Sequence, residues 1–273
     1  MVAAGYKLRI LDFDNGLETL KQFVMKECPE NLGNIEYRTL RDKRKAGPLG
    51  SIIEPTAFVN ALKMLDNWKY KYEGETIDFG PPKDWGPDCI LVVDTLTFMS
   101  DAAFNFREPL VARSKDGKFD ARAVYKDSQD AVENVLALLT SEDFHTNVIV
   151  IAHMKYQQTP DGRQKAYPTS VGAALSPHIP TYFNTVAQCV TEAGGKRTIQ
   201  TTASALIDLK NPKPFVIKGE YSITSGLATI FKELRSEAPQ TAPEGTAHDA
   251  TEVEPEPIMK LEPKPHKLQL RRR

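Results

Sequence analysis

The chain has 273 residues, 41% hydrophobic and 26% charged, and its 35 Lys+Arg against 36 Asp+Glu leave a net charge of -1. One large domain or two modest ones are expected, and no global field selects a polyanion or a lipid surface. The longest apolar runs, 89–93 and 148–152, fall far short of the roughly 18 residues a bilayer-spanning helix needs, which excludes such a span. The first dozen residues show no apolar core with a cleavage site, and Cys28, Cys89 and Cys189 make no C-x-x-C pair. A disulfide framework and a zinc knuckle are therefore not expected, and the expected compartment is a reducing cytoplasm.

In chain order, 7–12 reads as a strand, and 55–68 as a helix with Pro55 at its start and Phe58, Leu62, Leu65 and Trp68 along one face. A turn-rich stretch at 80–88 leads into a second strand at 89–94. Residues 128–139 read as a helix with Val132, Val135, Leu136 and Leu139 inward and Ser128 as N-cap. A third strand follows at 147–152, with weaker strands at 185–190, 198–202 and 215–218. The runs Ile90-Leu-Val-Val and Val148-Ile-Val-Ile are continuously apolar, as expected of strands covered on both faces. The class is α/β with a largely parallel sheet and helices on both faces. From 236 onward Pro recurs, and six acids in 236–257 give way to a basic end containing Lys260, Lys264, Lys267, Arg271, Arg272 and Arg273. That composition predicts a disordered, acidic-then-basic tail after a core spanning 1–235.

Ligands of such sheets sit beyond the carboxyl ends of the strands. Three ends carry chemistry: Asp12-Phe-Asp14-Asn-Gly16, Asp94-Thr95, and Ala152-His153-Met154. Each alone is weak, since an acid or a His at a strand end is common. In order they give acid, acid with hydroxyl, then imidazole. On the runs 8–17, 90–97 and 148–154 the chain resembles the RecA-type P-loop ATPase core, and more narrowly the compact phage-encoded RecA-like nucleotide-binding proteins, some of which act in single-strand annealing and recombination. The resemblance implies ATP and Mg2+ as cofactors. It places the Walker B carboxylate on Asp94, which would hold the metal, with Thr95 as the adjacent hydroxyl. It puts the residue positioning the attacking water on Asp14 and the γ-phosphate sensor on His153, where RecA itself carries Gln. Lys210 is a possible donor to a neighbouring subunit's nucleotide, within a homo-oligomer.

One part of that pattern is absent. The phosphate loop G-x-x-x-x-G-K-[ST] cradles phosphates with backbone N–H groups and a lysine. The Gly-Lys pairs present, Gly117-Lys118 and Gly195-Lys196, are followed by Phe119 and Arg197. The family pattern would place the loop and its strand upstream of Lys7. Either the chain is an amino-truncated or split ATPase core, or it is a degenerate relative that has lost hydrolysis. Losing that strand would expose apolar faces and unpaired backbone, and the three strand-end groups persist, so truncation or splitting is the preferred expectation.

Two segments expected to be loops mix bases with aromatics, as single-strand binding surfaces do. Residues 101–126 hold Arg107, Arg113, Lys115, Lys118, Arg122 and Lys126 with Phe104, Phe106, Phe119 and Tyr125; residues 155–172 hold Lys155, Arg163 and Lys165 with Tyr156 and Tyr167. The run 41–45 reads as a solvated charge cluster. The expected function is a phage-type RecA-like ATP-binding protein acting on single-stranded DNA in recombination or annealing. The alternative is a non-hydrolysing RecA-like module that binds DNA or a partner ATPase.

Overall fold

The computed structural model describes residues 1–47, 50–111 and 120–236. Arg113, Lys115, Lys118 and Phe119, and the tail predicted from 236, lie outside them apart from Ser236. Met1–Ser236 makes one compact unit.

Its centre is a four-stranded parallel sheet in the order β2-β1-β7-β8, built from β1 (Lys7–Asp12), β2 (Ile35–Thr39), β7 (Cys89–Asp94) and β8 (Asn147–Ile151). Side chains of successive strand residues leave opposite faces. On one face Leu11, Leu91 and Val93 pack against α2 (Ala57–Asp66), α3 (Leu96–Arg107) and α4 (Ala121–Leu139); on the other Leu8, Ile10, Ile90 and Val92 pack against Val2, Leu17 and Val24, the last from α1 (Glu18–Glu27). Helices therefore cover both faces, as the continuous apolar runs require.

Around the sheet lie hairpins: β3 (Lys43–Gly47) with β4 (Gly50–Glu54), β5 (Lys69–Tyr72) with β6 (Glu75–Asp78), and β9 (Met154–Gln158) with β10 (Gln164–Pro168). A separate antiparallel sheet of β11 (Gln188–Thr191), β12 (Arg197–Gln200) and β13 (Glu220–Ser222) encloses a small core with α5 (Gly226–Arg235), centred on Ile199, Ile217, Tyr221 and Ile230.

Several local expectations are corrected. The helix predicted from Ser128 begins seven residues earlier, because Asp120 caps it, accepting from the backbone N–H groups of Arg122 at 3.0 Å and Ala123 at 3.2 Å. Ser128 is mid-helix and buried, its hydroxyl satisfied by the Val124 carbonyl at 2.7 Å. Helix α2 is shorter than expected; Ala61 and Met64, not the 38% exposed Leu62, share its inner face with Phe58 and Leu65. Residues 215–218 form a turn instead of a strand, and Phe215 is 97% exposed. The segment 155–172 is mostly a hairpin, and within 101–126 the described residues are largely the end of α3 and the start of α4.

Candidate nucleotide site at the carboxyl edge of the sheet

Parallel pairing sets the site. The register aligns Asp12 with Asp94 and Asp94 with Ile151, so the ends of β1, β7 and β8 lie side by side. Their continuations therefore emerge together: Phe13-Asp14 after β1, Thr95 after β7, and Ala152-His153 after β8. The Phe13 N–H donates to the Asp94 carbonyl at 2.6 Å, which extends the ladder by one residue.

Asp12 and Asp14 differ sharply in environment. Asp12 is 1% exposed and both its carboxylate oxygens are engaged. Oδ1 accepts from the backbone N–H of Asp14 at 3.2 Å and of Asn15 at 2.6 Å, and Oδ2 accepts from the Thr39 hydroxyl at 2.9 Å. Asp12 thus folds the turn and ties it to β2. Asp14 is half-buried beyond that turn, and Arg41 Nη1 donates to its carbonyl at 3.3 Å. Arg41 is therefore engaged with this loop, not simply part of a solvated run. Its neighbour Asp42 is also structural, accepting from the Ala57 N–H and from Asn105 Nδ2, both at 2.9 Å.

Asp94 is half-buried, and burial first, then the charges of Asp12 and Asp14, raise its pKa above the usual carboxylate range, against a smaller opposing influence of His153. Asp14 and His153 are therefore close enough to act on Asp94 electrostatically. The peptide bond to Thr95 is cis. Thr95 is 2% exposed and caps α3, its hydroxyl accepting from the Phe98 N–H at 3.5 Å. A cation suits this donor set, since it would relieve the excess negative charge that raises Asp94. Among the described residues no three His, Cys, Asp or Glu side chains converge on a metal position. Asp94 would hold magnesium together with oxygen ligands from the nucleotide, the usual arrangement for that ion.

His153 is exposed, and its ring stands perpendicular to Phe98 at 5.6 Å. Sequence reasoning missed what holds it: its N–H donates to Thr97 Oγ1 at 3.1 Å, that hydroxyl donates to the Thr169 carbonyl at 3.2 Å, and the Thr169 N–H donates to the His153 carbonyl at 2.6 Å. Ser100 and Ser170 hydroxyls meet at 3.0 Å behind this ring of bonds. The first turn of α3, the end of β8 and the strand leaving the β9–β10 hairpin are thereby joined. The second hydroxyl in Asp94-Thr-Leu-Thr97 was the available signal.

The other expected contacts are dispersed. Lys210 Nζ donates to the carbonyls of Phe183 at 3.1 Å and Thr181 at 3.4 Å. Arg107 lies 3.5 Å from Asp127, Arg163 3.3 Å from Asp161, and Lys165 2.7 Å from Asp208. In the hairpin Tyr156 faces Ala166 and Tyr167 faces Lys155, so the tyrosines occupy opposite faces. Tyr156 is 61% exposed and Tyr167 half-buried.

Residues 4–213 match the family described as "AAA domain". The chain belongs to that family. Membership points to a nucleotide-binding ATPase domain. No curated protein matches the chain. No described helix is long and apolar enough to cross a membrane.

Proposed function

We propose that this AAA domain is a phage-type, RecA-like ATPase core acting on single-stranded DNA in recombination or annealing, as an oligomer in the host cytoplasm. The observation that carries the nucleotide part is the alignment of three strand ends, which gathers Asp94, Asp14 and His153 at one edge. In this reading Asp94 holds magnesium, and the ion supplies charge neutralisation at the phosphates. Asp14, which enters that turn through its backbone N–H and not its carboxylate, orients the attacking water. Thr95 positions Asp94 through the helix cap. His153 meets the γ-phosphate, and its N–H bond to Thr97 links it to the β9–β10 hairpin. Lys210 could serve a neighbouring subunit's nucleotide only by releasing the Phe183 and Thr181 carbonyls.

The hairpin is the proposed DNA contact. Tyr156 offers a ring for base stacking, with Arg163 and Lys165 contributing charge, and Arg107 and Arg113 form a second basic segment. Exposed ion pairs such as Arg163–Asp161 are weak and exchange readily for phosphate. The test is fluorescence-anisotropy titration of labelled oligothymidylate. Tyr156→Ala should weaken binding by about 1–3 kcal/mol at every salt concentration, as loss of one stacked base does. Arg163→Ala with Lys165→Ala should flatten the salt slope. If both variants bind like the parent, the hairpin is not the DNA site.

A further inference from the structure

Three consecutive exposed bases, Lys43, Arg44 and Lys45, make up most of β3. Successive strand residues point to opposite faces of the hairpin, and all three are exposed, so neither face buries them. Glu54, on the facing strand, pairs with Lys45 at 3.2 Å. Among the described residues no ion pair engages Lys43 or Arg44. Positive charge is thus concentrated here on a chain whose net charge is only -1. The root of this arm is fixed. Leu40 is 7% exposed within the main core, and its N–H donates to the Asp12 carbonyl at 2.7 Å. Asp42 accepts from the Ala57 N–H and from Asn105 Nδ2, which ties the start of β3 to α2 and α3. Among the described residues β2 and β8 are the outer strands of the parallel sheet. The β3–β4 arm therefore leaves one flank of the carboxyl edge and the β9–β10 hairpin leaves the other. At about 4.8 Å between neighbouring strands, three spacings put the two roots about 14 Å apart.

We propose that the β3–β4 arm is a second contact for the phosphate backbone of single-stranded DNA, made by Lys43, Arg44 and Lys45 and separate from the β9–β10 hairpin. The proposal rests on the nucleic-acid part of the reading above and not on its nucleotide part. Strand β3, Lys43-Arg-Lys-Ala-Gly47, carries no aromatic ring on which a base could stack. The arm therefore supplies charge alone: it holds phosphates, adds affinity and fixes the strand's path, while base stacking is left to Tyr156 on the other flank. Its anchored root keeps the three cations at a set place on the carboxyl edge, so a strand held by the β9–β10 hairpin meets a second grip across the sheet.

The test uses the full chain and labelled oligothymidylate, with anisotropy titrations over a range of salt. One variant combines Lys43→Thr, Arg44→Thr and Lys45→Thr, since threonine suits an exposed strand. Each phosphate contact to a single strand contributes about 0.7 to the slope of log K against log salt, so the variant's slope should be shallower by about 2. Its thermal unfolding should match the parent's. A control combining Lys26→Ala, Lys63→Ala and Lys71→Ala removes the same charge from exposed sites on α1, α2 and β5 and should leave the slope unchanged. Independently of any variant, oligothymidylate should protect Lys43 and Lys45 of the parent from acetylation, read by mass spectrometry, and leave Lys26 and Lys63 reactive. A flattened slope with Tyr156→Ala also weakening binding supports both contacts. A flattened slope with Tyr156→Ala silent supports the arm and sinks the β9–β10 hairpin as the DNA site. An unchanged slope with Lys43 and Lys45 still reactive overturns the arm, whatever Tyr156→Ala does. Equal flattening by the control overturns it as well, because net charge would then be the cause. Protection of the arm by polyglutamate but not by oligothymidylate would assign it to an acidic protein and overturn the proposal, and a parent that binds no oligothymidylate would overturn the arm and the hairpin together.

Discussion

Replacing Asp12 separates the carboxylate that builds the turn from the one proposed to orient water. In Asp12→Ala the backbone N–H groups of Asp14 and Asn15 and the Thr39 hydroxyl all lose their acceptor. A hydrogen bond to a charged group contributes about 1.5–3 kcal/mol net. Three such bonds do not add fully, and water can reach the N–H groups of Asp14 and Asn15, which lie toward the surface. A loss of about 3–5 kcal/mol is expected, a large part of the roughly 5–15 kcal/mol of a typical domain. Asp12→Asn keeps the Oδ1 acceptor, and its amide can donate to a rotated Thr39 hydroxyl, so about 1 kcal/mol is expected. Removing the Asp12 charge also removes one of the influences that raise Asp94, so the Asp94 pKa should fall in the Asn variant. Urea unfolding followed through Trp68 and Trp85 fluorescence measures the first effect, and carboxyl-carbon NMR titration the second. An Ala variant within about 1 kcal/mol of the parent, or an Asn variant as unstable as Ala, would refute the assignment of Asp12 to the turn.

Asp94→Asn should stabilise the ligand-free protein near neutral pH. Because the folded-state pKa of Asp94 is raised, the parent is favoured below the ordinary carboxylate range and loses that advantage as pH rises through the raised value. The Asn variant lacks this loss, so its melting temperature should overtake the parent's across that window; the same melting difference at every pH would remove Asp94 ionisation as the cause. Asp208→Asn frees Lys165 from its 2.7 Å ion pair and should strengthen single-strand binding a few-fold with a salt slope steeper by about one, whereas unchanged binding would remove Lys165 from the interface. Gly172 has φ 71°, and an added Cβ would stand 2.3 Å from Gln129 Nε2, whose amide now donates to the Val171 carbonyl at 3.1 Å. Gly172→Ala should cost about 1–3 kcal/mol in thermal unfolding through backbone strain and loss of that bond; an unchanged melting temperature would show that the loop repacks freely.

The α/β class, three of the four parallel strands and the chemical groups at their ends are legible in the residues alone, because continuous β-branched runs bounded by turns have few other uses. These 273 residues spell out no lysine-bearing phosphate loop. Strand β2 is not legible in this way, although Ile35-Glu-Tyr-Arg-Thr alternates as an edge strand should, because five residues of alternation are a weak signal. The start of α4 was misplaced, since Ser128 and Asp120 are both acceptable caps and only packing shows which one the helix passes. Tertiary structure alone decided the division of labour between Asp12 and Asp14. Two carboxylates a residue apart look equivalent in sequence, and Thr39, which helps commit Asp12 to the turn, arrives from 27 positions away. It likewise decided that Tyr156 and Tyr167 lie on opposite faces and that Lys165 is paired with Asp208, because hairpin register and a contact across 43 residues are not local properties. Strand order also lay beyond the sequence. Runs 89–94 and 147–151 are equally apolar, yet among the described residues pairing places the first between two neighbours and the second at an edge, since hydrophobicity records that a strand is to be covered but not which strand covers it.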